Sequence, residues 1–258
     1  MLAYLLLESP ERLLQWRDAL LLNGLLIALA QRAPLLTRAG WVHAGILGTV
    51  LWGSLGWAGW LTVVLYLLLG SLVTRLGLRR KQELGLAEAR GGRRGPENVW
   101  GSALVGAVLA MGSALVPAPW RPLLLLGFAA SFSAKLADTC GSEIGKRWGR
   151  RTLLITTLRP VPPGTEGAVS LEGSLASAVG AAAMAALMAA LGWIANPQAW
   201  ALVTGVGLLA TLAESVIGAT LQQRLPWLSN ELVNGIQTLL AALLAMGSAA
   251  ALGGSLLG

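Results

Sequence analysis

The sequence predicts an all-α, polytopic membrane helix bundle of about eight transmembrane helices, or seven if two neighbouring spans are fused or re-entrant. Three observations predict it. Only 12% of the 258 residues are charged, against 55% hydrophobic, whereas soluble domains carry about 25% charged residues. Apolar runs of the roughly 20 residues needed to cross a bilayer recur along the whole chain. Gly (33 residues) and Trp (11 residues) are abundant, as expected where helices pack closely in lipid and indole rings sit at the interface. A single integral membrane domain, 1–258, accounts for the length and leaves no room for a sizeable soluble one.

The spans fall in order at about 13–30, 35–55, 57–76, 99–116, 123–137, 175–194, 199–221 and 232–252. The first starts raggedly, with Arg17 and Asp18. The Gly53 to Gly56 stretch is the expected turn between the second and third. Pro117 and Pro119 end the fourth, and Asn196-Pro197 ends the sixth. The first residues lack a basic n-region and a small-residue cleavage site, so no signal peptide is expected.

Lys and Arg set the orientation. Loops at about 77–98, 139–172 and 222–230 are each separated by two spans and so share one face, with Arg32 and Arg38. The N-terminal tail, which balances Arg12 and Arg17 with Glu8, Glu11 and Asp18, lands opposite. The shared face is expected to be cytoplasmic. The net charge of +7 sits in short loops between apolar spans, which argues against a nucleic-acid partner. One Cys, Cys140, excludes an internal disulfide. One His, His43, excludes a multi-His metal site and is expected to pack or hydrogen-bond within a helix.

A polar island interrupts the apolar pattern from Lys135 to Gly173. As a helix, 135–146 gathers Lys135, Asp138, Thr139, Ser142, Glu143 and Lys146 within about 140° of arc. The other face carries Ala137, Cys140, Gly141 and Ile144. Mg²⁺ is usually held by one or two carboxylates together with substrate phosphates, and this face offers carboxylates beside lysines. A solvated helix end with internal salt bridges is the plainer explanation. Further on, Pro162, Pro163, Gly164 and Gly167 specify a tight loop that presents Thr165 and Glu166, with glycines able to take φ > 0 and approach a ligand. Ser170 is placed to cap the sixth helix, whose free N–H groups attract phosphate; Glu172 follows in its first turn.

Glu214 lies well inside an apolar span and shares a face with Thr211, Ser215, Gly218 and Gln222. A carboxylate at that depth marks function by default. In the eighth span Asn230, Glu231, Asn234, Gln237 and Thr238 fall within about 120°. Helix–helix hydrogen bonding is the alternative use of both faces. In the first basic loop, Gly91-Gly92 precedes Arg93 and Arg94, and Glu97-Asn98 opens the fourth span. A loop of that kind suits phosphates, although positive-inside topology alone explains its arginines. No Walker A string or protein-kinase motif is present.

The strings LADTCGSEIGK (136–146), ITTLRPVPPGTEGAVSLEG (155–173), AESVIGATLQ (213–222) and NELVN (230–234) together resemble the DUF92 integral membrane family, most of all its plant and cyanobacterial phytyl-phosphate kinase branch. The resemblance implies phosphoryl transfer from a nucleoside triphosphate, CTP, to phytyl monophosphate, giving the diphosphate used in tocopherol and phylloquinone synthesis. It implies Mg²⁺ (or Mn²⁺), an isoprenoid phosphate lipid substrate, and a multi-pass location in a bacterial inner, thylakoid or plastid membrane. With the residue chemistry, it makes Lys135, Asp138, Glu143 and Glu166 the catalytic candidates, the last three as metal ligands. Nucleotide and phosphate binding falls to Arg93, Arg94, Asn98, Ser142, Lys146, Arg159, Gly164, Thr165, Gly167 and Glu172, and to Glu214, Gln222, Asn230, Glu231 and Asn234. The chain departs from the expected pattern at Pro163, where a basic residue is expected; Arg159, or Arg93 and Arg94, would then supply that charge. Two other readings compete: a cytidylyltransferase making a CDP-lipid, and a transporter of a polyprenyl phosphate or small anion. A transporter would open to both faces and often shows repeated halves, and no internal repeat is visible.

Overall fold

A computed structural model of the chain describes residues 10–252, 256 and 257; Glu8 of the N-terminal tail lies outside them. Among the described residues there are eight α-helices: α1 Pro10–Ala30, α2 Arg38–Arg75, α3 Leu78–Glu83, α4 Pro96–Leu115, α5 Arg121–Trp148, α6 Leu171–Ala190, α7 Pro197–Ile217 and α8 Asn230–Ala251. All but the short α3 are long and apolar enough to cross a membrane. The sole sheet among them pairs β1 Leu153–Leu154 antiparallel with β2 Ala168–Val169.

The seven long helices make eight crossings because α2 folds back on itself. Gly56 takes φ +72°, ψ −166° in the middle of it, a conformation only glycine adopts readily. The two arms, 38–55 and 57–75, then run antiparallel. The rings of Trp52 and Trp60 meet at a tilt of 58° with centroids 5.8 Å apart across the turn, and at the other end Arg75 donates to the Pro34 carbonyl at 2.8 Å. The turn expected from Gly53 to Gly56 is therefore realised at Gly56.

Helix α5 is the hub. Of its membrane window 72% is buried, against 11% for α1, and it packs on α2, α4, α6, α7 and α8. Phe128 and Phe132 fill the centre with Met184 and Met188. The tightest crossing, with α6, uses small residues: a Cβ on Gly173 would stand 2.8 Å from the Gly141 carbonyl oxygen, and one on Gly180 would stand 2.9 Å from that of Leu136. Such close backbone approach is what holds helices together in lipid, where burying apolar surface adds little.

One boundary expectation is corrected. The apolar pattern places the fifth span at 123–137 with a loop from 139, but α5 continues unbroken to Trp148. Its charged residues are satisfied along the helix, by Lys135–Asp138 and Glu143–Lys146 at i, i+3 spacing, so nothing forces the chain out of helix. The loop is 149–170. Ser170 caps α6, accepting from Gly173 N at 3.1 Å, as its sequence position indicates. His43 accepts a hydrogen bond from the Trp100 indole at 2.9 Å, tying α2 to α4.

Counting crossings puts the segments 31–37, 76–95, 149–170 and 223–229 at one end of the bundle. Backbone bonds confirm part of this: Thr37 N donates to the Arg94 carbonyl at 3.0 Å and Arg94 N to that of Leu35 at 3.1 Å. Apart from Lys135 in the middle of α5, every Lys and Arg lies at this end except Arg12, Arg17 and Arg121.

Candidate functional site

A cavity of about 210 Å³ opens at the charged end of the bundle. Helix α5 forms its central wall through Lys135, Asp138, Ser142 and Lys146. Lys135 is buried. It pairs with Asp138 one turn on and donates to Asn234 Oδ1 of α8 at 2.9 Å. A lysine this deep needs such partners, and here they also fix its direction.

The 149–170 loop covers the mouth. Its hairpin is anchored by β1 and β2, and Gly164 and Gly167 both take positive φ, +85° and +75°. Gly167 is needed twice over, because a Cβ there would sit 2.6 Å from the backbone nitrogen of Ala219. Between the glycines, Thr165 and Glu166 line the cavity, with the Thr165 hydroxyl bonded to the Pro162 carbonyl at 2.8 Å. The loop rests on the last turn of α7, which widens into a π-helix at Gly218–Gln222, a distortion frequent at functional sites. From α7 come Glu214, Ser215 and Thr211; from α8, Asn230 and Asn234; from α4 and the segment before it, Asn98 and Arg94.

Of the sequence candidates, the cavity thus collects Lys135, Asp138, Glu166, Arg94, Asn98, Ser142, Lys146, Gly164, Thr165, Gly167, Glu214, Asn230 and Asn234. Six others are placed off its wall. Glu143 is fully buried behind it, in an ion pair with the equally buried Lys81, so it does not stand beside Asp138 and Glu166 as a third carboxylate. The reason is angular: it sits about 140° around α5 from Asp138, facing α3. Arg93 turns back to the Arg90 carbonyl at 3.2 Å. Glu231 accepts from Asn98 Nδ2 at 3.2 Å, and Glu172 accepts from the Arg150 backbone N–H at 3.3 Å. Arg159 lies in the exposed turn of the hairpin beside Leu158, which takes φ +53°. Gln222 ends the π-helical turn.

The cavity is also lined by residues outside the sequence candidates, among them Tyr66, Glu88, Ser102, Ser174 and Ser177. Tyr66 carried a signal: it is one of two tyrosines in the chain and sits in an otherwise aliphatic run. The serines of α6 had none, since small polar residues in a membrane helix read as packing.

A family model described as integral membrane protein DUF92 matches residues 21–242. The chain belongs to this family. Among its relatives, an uncharacterized membrane protein of Synechocystis is 52% identical over 234 residues, 90% of each chain. The chloroplastic protein VTE6 of Arabidopsis thaliana is 40% identical over 239 residues, covering 90% of this chain and 71% of the relative. An uncharacterized membrane protein of Methanocaldococcus jannaschii is 28% identical over 92% of this chain and 95% of its own length. No solved structure matches.

In this DUF92 protein the cavity wall mixes three cations, Arg94, Lys135 and Lys146, with four carboxylates, Glu88, Asp138, Glu166 and Glu214. The cations suit phosphate oxygens, and the carboxylates suit a divalent ion. Among the described residues no group of three or more His, Cys, Asp or Glu stands close enough to hold a metal by itself. The donor set therefore fits an ion of the Mg²⁺ type only in the mode where substrate phosphates supply the remaining ligands.

Proposed function

We propose that this DUF92 protein transfers the γ-phosphoryl group of CTP to an isoprenoid monophosphate, phytyl phosphate, giving the diphosphate. The observation that carries the reading is the cavity itself, in which lysines and an arginine face carboxylates at one end of a membrane bundle. The 40% identity to VTE6 supports it. The charged end is then the cytoplasmic or stromal face, in keeping with the Lys and Arg bias.

Phosphoryl transfer asks a protein mainly for positioning and charge neutralisation. A phosphate oxygen of the acceptor attacks the γ-phosphorus, the bond from that phosphorus to the β,γ-bridging oxygen breaks, and CDP leaves. The acceptor oxygen is already anionic near neutral pH, so a strong general base is not required. Lys146 at the mouth and Lys135 further in neutralise the phosphates, and the Gly164–Gly167 loop closes its backbone against the donor. Asp138 and Glu166 would hold a bound Mg²⁺, with Glu214 behind them; that ion would neutralise donor phosphate charge. Asn230 and Asn234 offer amides for the base or ribose.

Transport is the weaker reading. A second cavity at the opposite end, bounded by Arg12, Trp16, Gly56 and Arg121, shares no lining residue with the first, and the motif residues gather in the first alone. A CDP-lipid-forming transferase uses the same reactants and differs in the bond broken. Acceptor length tests the membrane part of the proposal. Phytyl phosphate should be turned over at least 100-fold more efficiently than a short water-soluble alkyl phosphate, measured as diphosphate formed by purified protein in lipid nanodiscs. Equal efficiency for both would remove any role for the bundle in binding the tail.

A further inference from the structure

Tyr66 lies in the second arm of α2, about 14 Å from the near-face end of that arm at 1.5 Å per residue. It lines the cavity and is 4% exposed, yet its buried hydroxyl has no hydrogen-bond partner among the described residues. Buried hydroxyls are nearly always satisfied, and one that is not calls for a missing partner. The guanidinium of Arg94 lies over the Tyr66 ring, 5.4 Å from its centroid, and Arg94 also lines the cavity. Two features hold Arg94 there. Its backbone bonds to Leu35 and Thr37, and its side chain crosses Gly70, one helical turn beyond Tyr66, where a Cβ would stand 2.7 Å from Nη2. Ser102 of α4, also buried, adds a second hydroxyl to the same lining. An arginine fork beside a phenol with no partner among the described residues presents donors to the cavity, and a phosphate oxygen is an acceptor that fits them.

We propose that Tyr66 and Arg94 form a phosphate subsite on the α2 side of the cavity that takes the monophosphate of the lipid acceptor. This rests on the phosphoryl-transfer reading for the identity of the ligand. The loop and Lys146 stand at the mouth, where a water-soluble nucleotide arrives, and Tyr66 packs against Phe132, six residues further in along α5 than Asp138. Tyr66 stands on a membrane arm below it, where the phosphate of a bilayer-anchored chain is within reach. The subsite gives Tyr66 a direct binding role and makes Gly70 a positioning residue that acts through Arg94.

Tyr66→Phe removes only the hydroxyl. It keeps the ring that packs edge-on against Phe132 at 5.6 Å and under Arg94, so folding is preserved. The KM for phytyl phosphate should rise roughly 10-fold or more, the scale of one hydrogen bond to a charged group, while the KM for CTP stays within about 2-fold. Gly70→Ala, which displaces the Arg94 guanidinium, should reproduce that pattern. Thermal stabilisation by phytyl phosphate, read without CTP, should shrink in both variants. An unchanged acceptor KM with unchanged thermal stabilisation, or a rise confined to the KM for CTP, overturns the subsite and leaves the phosphoryl-transfer reading standing. Wild-type stabilisation by phytyl phosphate that is lost in Tyr66→Phe, without any transfer from a nucleotide, keeps the subsite and removes the transferase reading.

Discussion

Glu143 and Lys81 form a deeply buried ion pair, each side chain 1% exposed. Lys81 also donates to the Thr74 carbonyl at 2.7 Å, and Glu143 stands 3.8 Å from Lys146, which lines the cavity. One carboxylate therefore ties α3 to α5 and steadies a cavity lysine. Breaking such a pair leaves an unpaired buried charge, which costs about 3–5 kcal/mol, whereas replacing both members with apolar residues is often close to neutral. Lys81→Met should thus lower thermal stability markedly, and Lys81→Met with Glu143→Leu should recover most of the loss. Thermal unfolding in detergent reads both. A single variant as stable as the wild type would mean that the pair does not anchor α3. At this scale the sequence was only half legible. Asp138 and Lys135 could be placed on one helix face from spacing alone. Glu143 stood at the far edge of the same arc from Asp138, and no periodicity reveals that a lysine from α3, 62 residues away, would reach it.

At the scale of elements, two devices build the cavity. The first is the glycine seam between α5 and α6. It brings Gly141 and Gly145 of one helix against Gly173 of the other, so that the Asp138 face and the start of α6 share one wall. Gly173→Leu should force the two backbones apart, at about 1–3 kcal/mol for overpacking, and should reduce turnover more than it reduces expression. Retained turnover and an unchanged unfolding temperature would show that the seam tolerates a side chain. The second device is the Gly164–Gly167 loop lying on the π-helical end of α7. The sequence announced the loop, because paired prolines and glycines restrict the backbone whatever surrounds them. It was silent on the π-turn, since Gly218–Gln222 carries no residue that demands i→i+5 bonding. The helical face of 135–146 was legible from spacing, but its continuity with the fifth span was not, because the apolar run stops at Ala137 while the helix runs on to Trp148.

For the whole molecule, topology and chemistry point the same way. Eight crossings return all four motif-bearing segments to one end, the end that also holds all but a few of the basic residues. This was legible in advance because apolar length and Lys/Arg placement are set by the bilayer, independently of how the helices pack. What composition could not supply was the inward rotation of each helix, and hence the membership of Tyr66 and Ser102 in the cavity wall. The bundle offers a polar chamber at its charged end, which is the form that the proposed transfer from a soluble nucleotide to a membrane-anchored phosphate requires. The bond broken in the nucleotide is the direct test. Purified protein in nanodiscs with phytyl phosphate and Mg²⁺ would be given CTP labelled at the γ- or the α-phosphorus, with Asp138→Asn as the control expected to be slower by on the order of 100-fold or more. Phosphoryl transfer predicts that the γ-label appears on a lipid diphosphate while the α-label stays in CDP. Appearance of the α-label on the lipid, or of neither label, would contradict it.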